Sequence, residues 1–81
     1  MYAQVLEGTL RGDDPEELGR RVRAELLPAL RGARGFSGAL CLWARGSQEW
    51  RLFVFWETED EAAAPLAGYG AAAVWEVAAR A

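Results

Sequence analysis

The stretch Phe36–Glu57, FSGALCLWARGSQEWRLFVFWE, decides the fold. Successive side chains of an extended chain point to opposite faces, so alternation can be read directly. From Phe36 to Arg45, one face takes Phe36, Gly38, Leu40 and Leu42, and the other takes Ser37, Ala39, Cys41 and Trp43. Arg45 to Glu49, with Gly46 and Ser47, reads as a hairpin turn. From Trp50 to Glu57, one face takes Trp50, Leu52, Val54 and Trp56, and the other takes Arg51, Phe53, Phe55 and Glu57. A half-solvated antiparallel strand is apolar on one face and polar on the other. This hairpin is apolar on both.

Working outward, Tyr2 to Leu10 reads as a strand, with Val5, Leu6, Thr9 and Leu10 suited to a pleat. Gly12-Asp13-Asp14-Pro15 is a turn into a helix, with Asp14 as N-cap, Pro15 in the first turn and Glu17 completing a capping-box pattern. That helix is expected from Pro15 to about Arg31, with Leu18, Val22, Leu26 and Ala29 or Leu30 as its apolar stripe. Pro28 predicts a kink or an early end, and Gly32 and Gly35 mark the exit. Thr58 with Glu61 is a second capping box, opening a helix that Pro65, Gly68 and Gly70 keep short. In the tail, Val74-Trp75-Glu76-Val77 alternates like a strand, while the surrounding alanines and the Glu76/Arg80 spacing also suit a helix; the strand reading is preferred.

Eighty-one residues make one α+β domain, 1–81, whose own core is marginal for its size. The single cysteine, Cys41, excludes an internal disulfide, and one thiol without any histidine makes a poor metal site. Association is the remaining way to stabilise so small a core. Two short helices cover one face of a four-stranded sheet, leaving the other to a second copy of the chain, to a ligand, or to both. Each large apolar side chain left wet forfeits roughly 1.5–3 kcal/mol, and a twofold homodimer is the commonest solution. The formal charge of −3 argues against a nucleic-acid partner, although Arg20, Arg21, Arg23, Arg31 and Arg34 crowd one region. Neither a signal peptide nor a membrane-length apolar run is found, so no membrane association and a cytoplasmic location are expected.

At Gly35-Phe36-Ser37-Gly38-Ala39-Leu40, and again at Phe53-Val54-Phe55-Trp56-Glu57-Thr58-Glu59-Asp60-Glu61, the chain resembles the antibiotic biosynthesis monooxygenase-like family of the dimeric α+β barrel superfamily. Pro28 late in the first helix, Gly35-Phe36 opening a strand, Trp56-Glu57 ending the next and Val74-Trp75-Glu76-Val77 as the closing strand carry the likeness. It implies a ferredoxin-like βαββαβ fold with an antiparallel sheet, two copies pairing their sheets into a barrel. It also implies a cofactor-independent monooxygenase, an oxidoreductase using neither metal nor flavin, acting on an aromatic or polycyclic substrate. The haem-degrading branch is set aside, because its axial histidine has no counterpart here, and asparagine is absent as well.

The resemblance places Trp56 at the family's pocket tryptophan. An indole there stacks on a planar ring and donates one hydrogen bond, and a core or interface tryptophan is the equal alternative. Trp43 and Trp50, near the hairpin end, are read as interface or core. Tyr69 is either a lid over a pocket or a loop aromatic. Gln4 is a polar group for a substrate oxygen or, more simply, a solvent-exposed side chain. Phe53 and Phe55 complete the substrate-binding candidates, and Arg51 with Glu57 is read as an interface ion pair or as the lining of a polar cavity mouth. Cys41 reads as a small buried hydrophobe, while Glu16, Glu17, Glu59, Asp60 and Glu61 sit in first turns where the helix dipole favours them. No nucleophilic triad, phosphate loop or metal-ligand spacing is found. Two functions therefore stand: a homodimer binding a small apolar or aromatic molecule, with or without monooxygenase turnover, and a non-catalytic ligand-sensing or assembly protein on the same dimer.

Overall fold

The computed structural model describes residues 1–10, 14–66 and 72–79. In chain order the elements are β1 (Tyr2–Thr9), α1 (Pro15–Arg21), a π-helical segment (Val22–Leu26), α2 (Leu27–Arg31), β2 (Phe36–Ala44), β3 (Glu49–Trp56), α3 (Glu59–Ala63) and β4 (Ala73–Glu76). The strands form one antiparallel sheet in the order β2-β3-β1-β4, a small α+β arrangement consistent with a ferredoxin-like fold. The tail is a strand, paired with β1 from Tyr2↔Glu76 to Val5↔Ala73.

The helical stretch begins where the caps dictate. Asp14 accepts a hydrogen bond from the Glu17 N–H at 2.7 Å, and Pro15 lies in the first turn, where its missing donor costs nothing. The helix does not end early at Pro28. The chain widens instead into a π turn just before it, and the Leu27 N–H bonds back to the Val22 carbonyl. Proline removes a donor and crowds the carbonyl four residues earlier, and the wider turn supplies the room. It also explains the stripe. Residues four apart drift by ~40° per step in an α-helix of 3.6 residues per turn, and a slower-winding segment offsets that drift. Leu18, Val22, Leu26 and Leu30 are all buried, whereas Ala29 is exposed.

These four side chains pack on Leu6, Leu52, Val54 and Trp56 from the sheet and on Ala62 from α3 to make the core. The register sorts the sheet into two faces. Leu6↔Leu52 and Gln4↔Val54 lie on the helix side, and Ala3↔Phe55, Val5↔Phe53 and Glu7↔Arg51 lie on the other. One residue departs from simple alternation. A β-bulge between Phe36 and Gly38 turns Phe36 away from the face of Leu40 and Leu42 and sets it against Trp56 on the helix side. Their rings meet edge to face, with centroids 6.0 Å apart at 72°. The bulge is admitted by Gly38, whose φ of 139° suits glycine alone.

The hairpin turn closes through the Gln48 N–H on the Ala44 carbonyl at 2.9 Å, and the Gln48 carbonyl accepts from the Leu10 N–H at the same distance. Gln48 holds a φ of 58°, the left-handed region, where a side chain costs roughly 1–2 kcal/mol. Both hydrogen bonds are backbone bonds and survive substitution. Gln48→Gly is therefore expected to stabilise the protein by about 1 kcal/mol, read as a higher urea midpoint at unchanged slope.

Candidate functional site

Trp56 ends β3 on the helix side and is 6% exposed. Its indole N–H donates to Gln4 Oε1 at 3.0 Å, and Gln4 Nε2 donates in turn to the Ala64 carbonyl at 2.6 Å. Gln4 is fully buried, so the expectation that it faces solvent is corrected. Burial is tolerated because both ends of the amide are satisfied, which also fixes which end is oxygen. The Ala64 carbonyl is available for a local reason. Pro65 disfavours the helical region for its predecessor, Ala64 is extended at φ −68°, ψ 130°, and its carbonyl turns from α3 toward the sheet.

The N-terminal end of α3 is fastened as strongly. Thr58 Oγ1 accepts from the Glu61 N–H at 3.2 Å, and the Glu61 carboxylate accepts from the Thr58 N–H at 3.1 Å, a complete capping box. The Glu57 N–H donates to the Gly35 carbonyl at 2.9 Å. Gly35 has a φ of 83°, and a Cβ placed there would collide with the Glu61 carboxylate. The glycine thus brings the helix exit against the α3 cap.

Between α2 and the exit of α3 lies a hollow of about 440 Å³. Trp56 lies at its base; Leu26, Ala29, Leu30 and Ala33 form one wall, and Ala64, Pro65 and Leu66 the other, with Glu25 and Glu61 at the rim. Its volume is within the range of ~300–1,000 Å³ typical of small-ligand sites, and its lining is mainly apolar. The indole N–H already serves Gln4, so Trp56 contributes a ring surface, not a donor. The sequence singles out Trp56 by residue type but not the helical wall beside it. The signal was present: the Leu26/Leu30 spacing beside Pro28 aims that stripe at the strand end carrying Trp56.

The remaining candidates separate. Phe53 and Phe55 are half-buried on the opposite, uncovered face and do not meet Trp56 or Gln4. Arg51 pairs with Glu7 on β1 at 3.2 Å, which corrects the expected pairing with Glu57; Glu57 lies exposed beyond the strand end. Trp43 and Trp50 stand directly opposite each other on the helix side and pack half-buried against the core. Trp50 lies over Gly8, where a Cβ would come within 2.5 Å of the indole. Among the described residues Trp43 Nε1 is buried without a hydrogen-bond partner. Tyr69 lies outside the described residues. Cys41 packs half-buried against the core, and burial pushes its thiol above the usual 9.0.

The face that the described helices leave uncovered carries a second, larger hollow of about 570 Å³ over β1, lined by Ala3, Val5, Phe53, Ala73 and Trp75 with Glu7 and Arg51 at one end. Leu40 is 49%, Leu42 50% and Trp75 64% exposed on this side. Among the described residues, no group of three or more His, Cys, Asp or Glu is placed to hold a metal, and no helix is long and apolar enough to cross a membrane. Comparison of the chain with protein-family models, with curated proteins and with solved structures gave no match.

Two outcomes are expected from the chemistry of the site. Gln4→Leu leaves the indole N–H buried without a partner, worth roughly 1–3 kcal/mol, while the Ala64 carbonyl, on an exposed residue, loses its donor within reach of water. Chemical denaturation should show a loss of about 1–3 kcal/mol on that basis. Cys41, holding its proton to higher pH than a free thiol, should react with maleimide more slowly than a cysteine peptide near neutral pH. Its rate should climb as pH rises through the elevated pKa.

Proposed function

We propose that this chain forms a homodimeric α+β barrel that binds a small apolar or aromatic molecule in the hollow at Trp56. The observation that carries the reading is that hollow itself, whose base is a nine-tenths-buried indole and whose walls are nearly all aliphatic. A small apolar ligand meets the part of the Trp56 ring left open at the hollow, and the aliphatic walls exclude water around it. The uncovered apolar face supports the dimer. Three strands ~26 Å long and β4 at half that, spaced ~4.8 Å apart, present on the order of 450 Å² flat. Two such faces come to about 900 Å² flat, and corrugation adds the rest of the ~1,000 Å² that a specific interface needs.

The resemblance adds monooxygenase turnover without a cofactor. One observation favours binding without turnover. Of the polar groups at the hollow, the indole and the Gln4 amide are engaged with each other and with Ala64, and the Glu61 carboxylate with the α3 cap, which among the described residues leaves the exposed Glu25 at the rim. Catalysis wants a group free to move a proton at the substrate. The ligand-sensing or assembly role is therefore the preferred form of the proposal.

Titration of the protein with an anthrone-type phenol, followed by quenching of tryptophan fluorescence, is expected to show saturable binding. Ala29→Phe places a ring in the hollow from an exposed helical position and should weaken that binding about tenfold or more, within the range of lost pocket contacts, with little change in melting. Undiminished binding by the variant would place the ligand elsewhere. Oxygen consumption on adding the phenol would replace the sensing role with the oxygenase one.

A further inference from the structure

The uncovered face has an internal order that specifies how a second copy sits on it. Three rows cross the sheet in the strand order β2-β3-β1-β4. The first is Gly38, Phe55, Ala3, Trp75; the second is Leu40, Phe53, Val5, Ala73; the third holds Leu42, Arg51 and Glu7. Large and small side chains alternate along the first row, and opposite charges are neighbours in the third.

We propose that two copies pack these faces together about a twofold axis parallel to the strands, running between β1 and β3. This rests on the dimer reading above and goes beyond it by naming the axis and the contacts. Such a rotation lays β3 over the partner's β1 and β2 over its β4 while keeping each row on itself. Phe55 then faces an alanine and Trp75 faces a glycine. Leu40 likewise faces an alanine, and Phe53 faces a valine. Arg51 faces a glutamate, and the symmetric contact repeats it. Interdigitation of large against small is how two sheets about 10 Å apart fill the space between them. The right-handed twist of each sheet splays the outer strands, so the fit is closest at β1 and β3.

The other in-plane twofold, perpendicular to the strands, fails on the same rows. It lays the first row over the third, sets Glu7 against an alanine and Arg51 against a phenylalanine, and buries the intrachain Arg51–Glu7 pair against apolar side chains with no second pair to meet it. That arrangement is disfavoured because desolvating an ion pair costs more than its own attraction returns unless further partners satisfy it. The charge row therefore selects the axis.

A charge exchange tests the assignment. Arg51→Glu and Glu7→Arg are made as separate chains, and each is followed by analytical ultracentrifugation and native mass spectrometry beside the wild type. Each variant alone sets like charges against each other across the interface and should weaken the dimer about tenfold or more. Mixed one to one, they should form a heterodimer in preference to either homodimer, because both interchain contacts become opposite in sign. Within each mixed chain the local pair remains like-charged, so recovery reports the interface alone. These residues are exposed in the free chain, 55% for Arg51 and 71% for Glu7, and circular dichroism should show each variant folded. The chain carrying both exchanges should dimerise as the wild type does. Variants that dimerise unchanged, or a mixture without the heterodimer, would overturn the axis and leave a wild-type dimer standing. A monomeric wild type at micromolar concentration would overturn the dimer and the axis together.

Discussion

The pairing of β1 with β3 governs the rest of the molecule, because it decides which side chains share a face. Leu6 against Leu52 and Gln4 against Val54 direct one side toward the helices. The same register, shifted by one residue, directs Val5 against Phe53 and Ala3 against Phe55 to the side the helices do not reach. A slip of one position would exchange the faces and expose every core residue. Gln4 guards against that slip. Its amide finds the Trp56 indole and the Ala64 carbonyl only in this register, and a buried amide in any other would lack its partners. The buried polar group contributes specificity beyond what apolar packing supplies.

Local signals in the chain were readable and long-range ones were not. The caps at Asp14 and Thr58 depend on residues three apart; the box at Thr58 is complete, while at Asp14 the N-cap bond forms and the Glu17 carboxylate pairs with Arg20. The two-sided hairpin and the closing strand were visible for the same reason, since alternation is a property of neighbours. Phe36 was assigned to the wrong face because the bulge beside Gly38 depends on how β2 meets β3, which alternation within β2 alone does not carry. Gln4 was read as exposed because its partners lie 52 and 60 residues away. Arg51 found Glu7 instead of Glu57 by cross-strand register, again a tertiary fact. Of the site, Trp56 stood out as a residue type, whereas its aliphatic wall required knowing that the Leu26 and Leu30 stripe lies beside it.

The helical stretch shows how one residue shapes a site from a distance. Pro28 does not end the helix; it imposes the π turn before it, and that turn carries Glu25 and Leu26 to the rim and wall of the Trp56 hollow. On the far side of the hollow Pro65 acts similarly, turning the Ala64 carbonyl inward. The hollow is thus shaped by two prolines, of which Pro65 lines it, that act through the backbone of their predecessors. Neither needs to touch a ligand to determine its shape.

The bulge at the start of β2 has a further consequence, for the edges of the sheet. An unpaired edge strand offers a row of free backbone donors and acceptors to any other chain, and a long flat one templates aggregation. Here one edge, β4, is only four residues long, and the other, β2, is interrupted by the irregularity beside Gly38. Growth strand by strand is discouraged at both ends, while the broad apolar face is left open. Edge-to-edge growth would run on into filaments, whereas a self-complementary face closes after two copies. The shape of its edges discourages open-ended growth strand by strand.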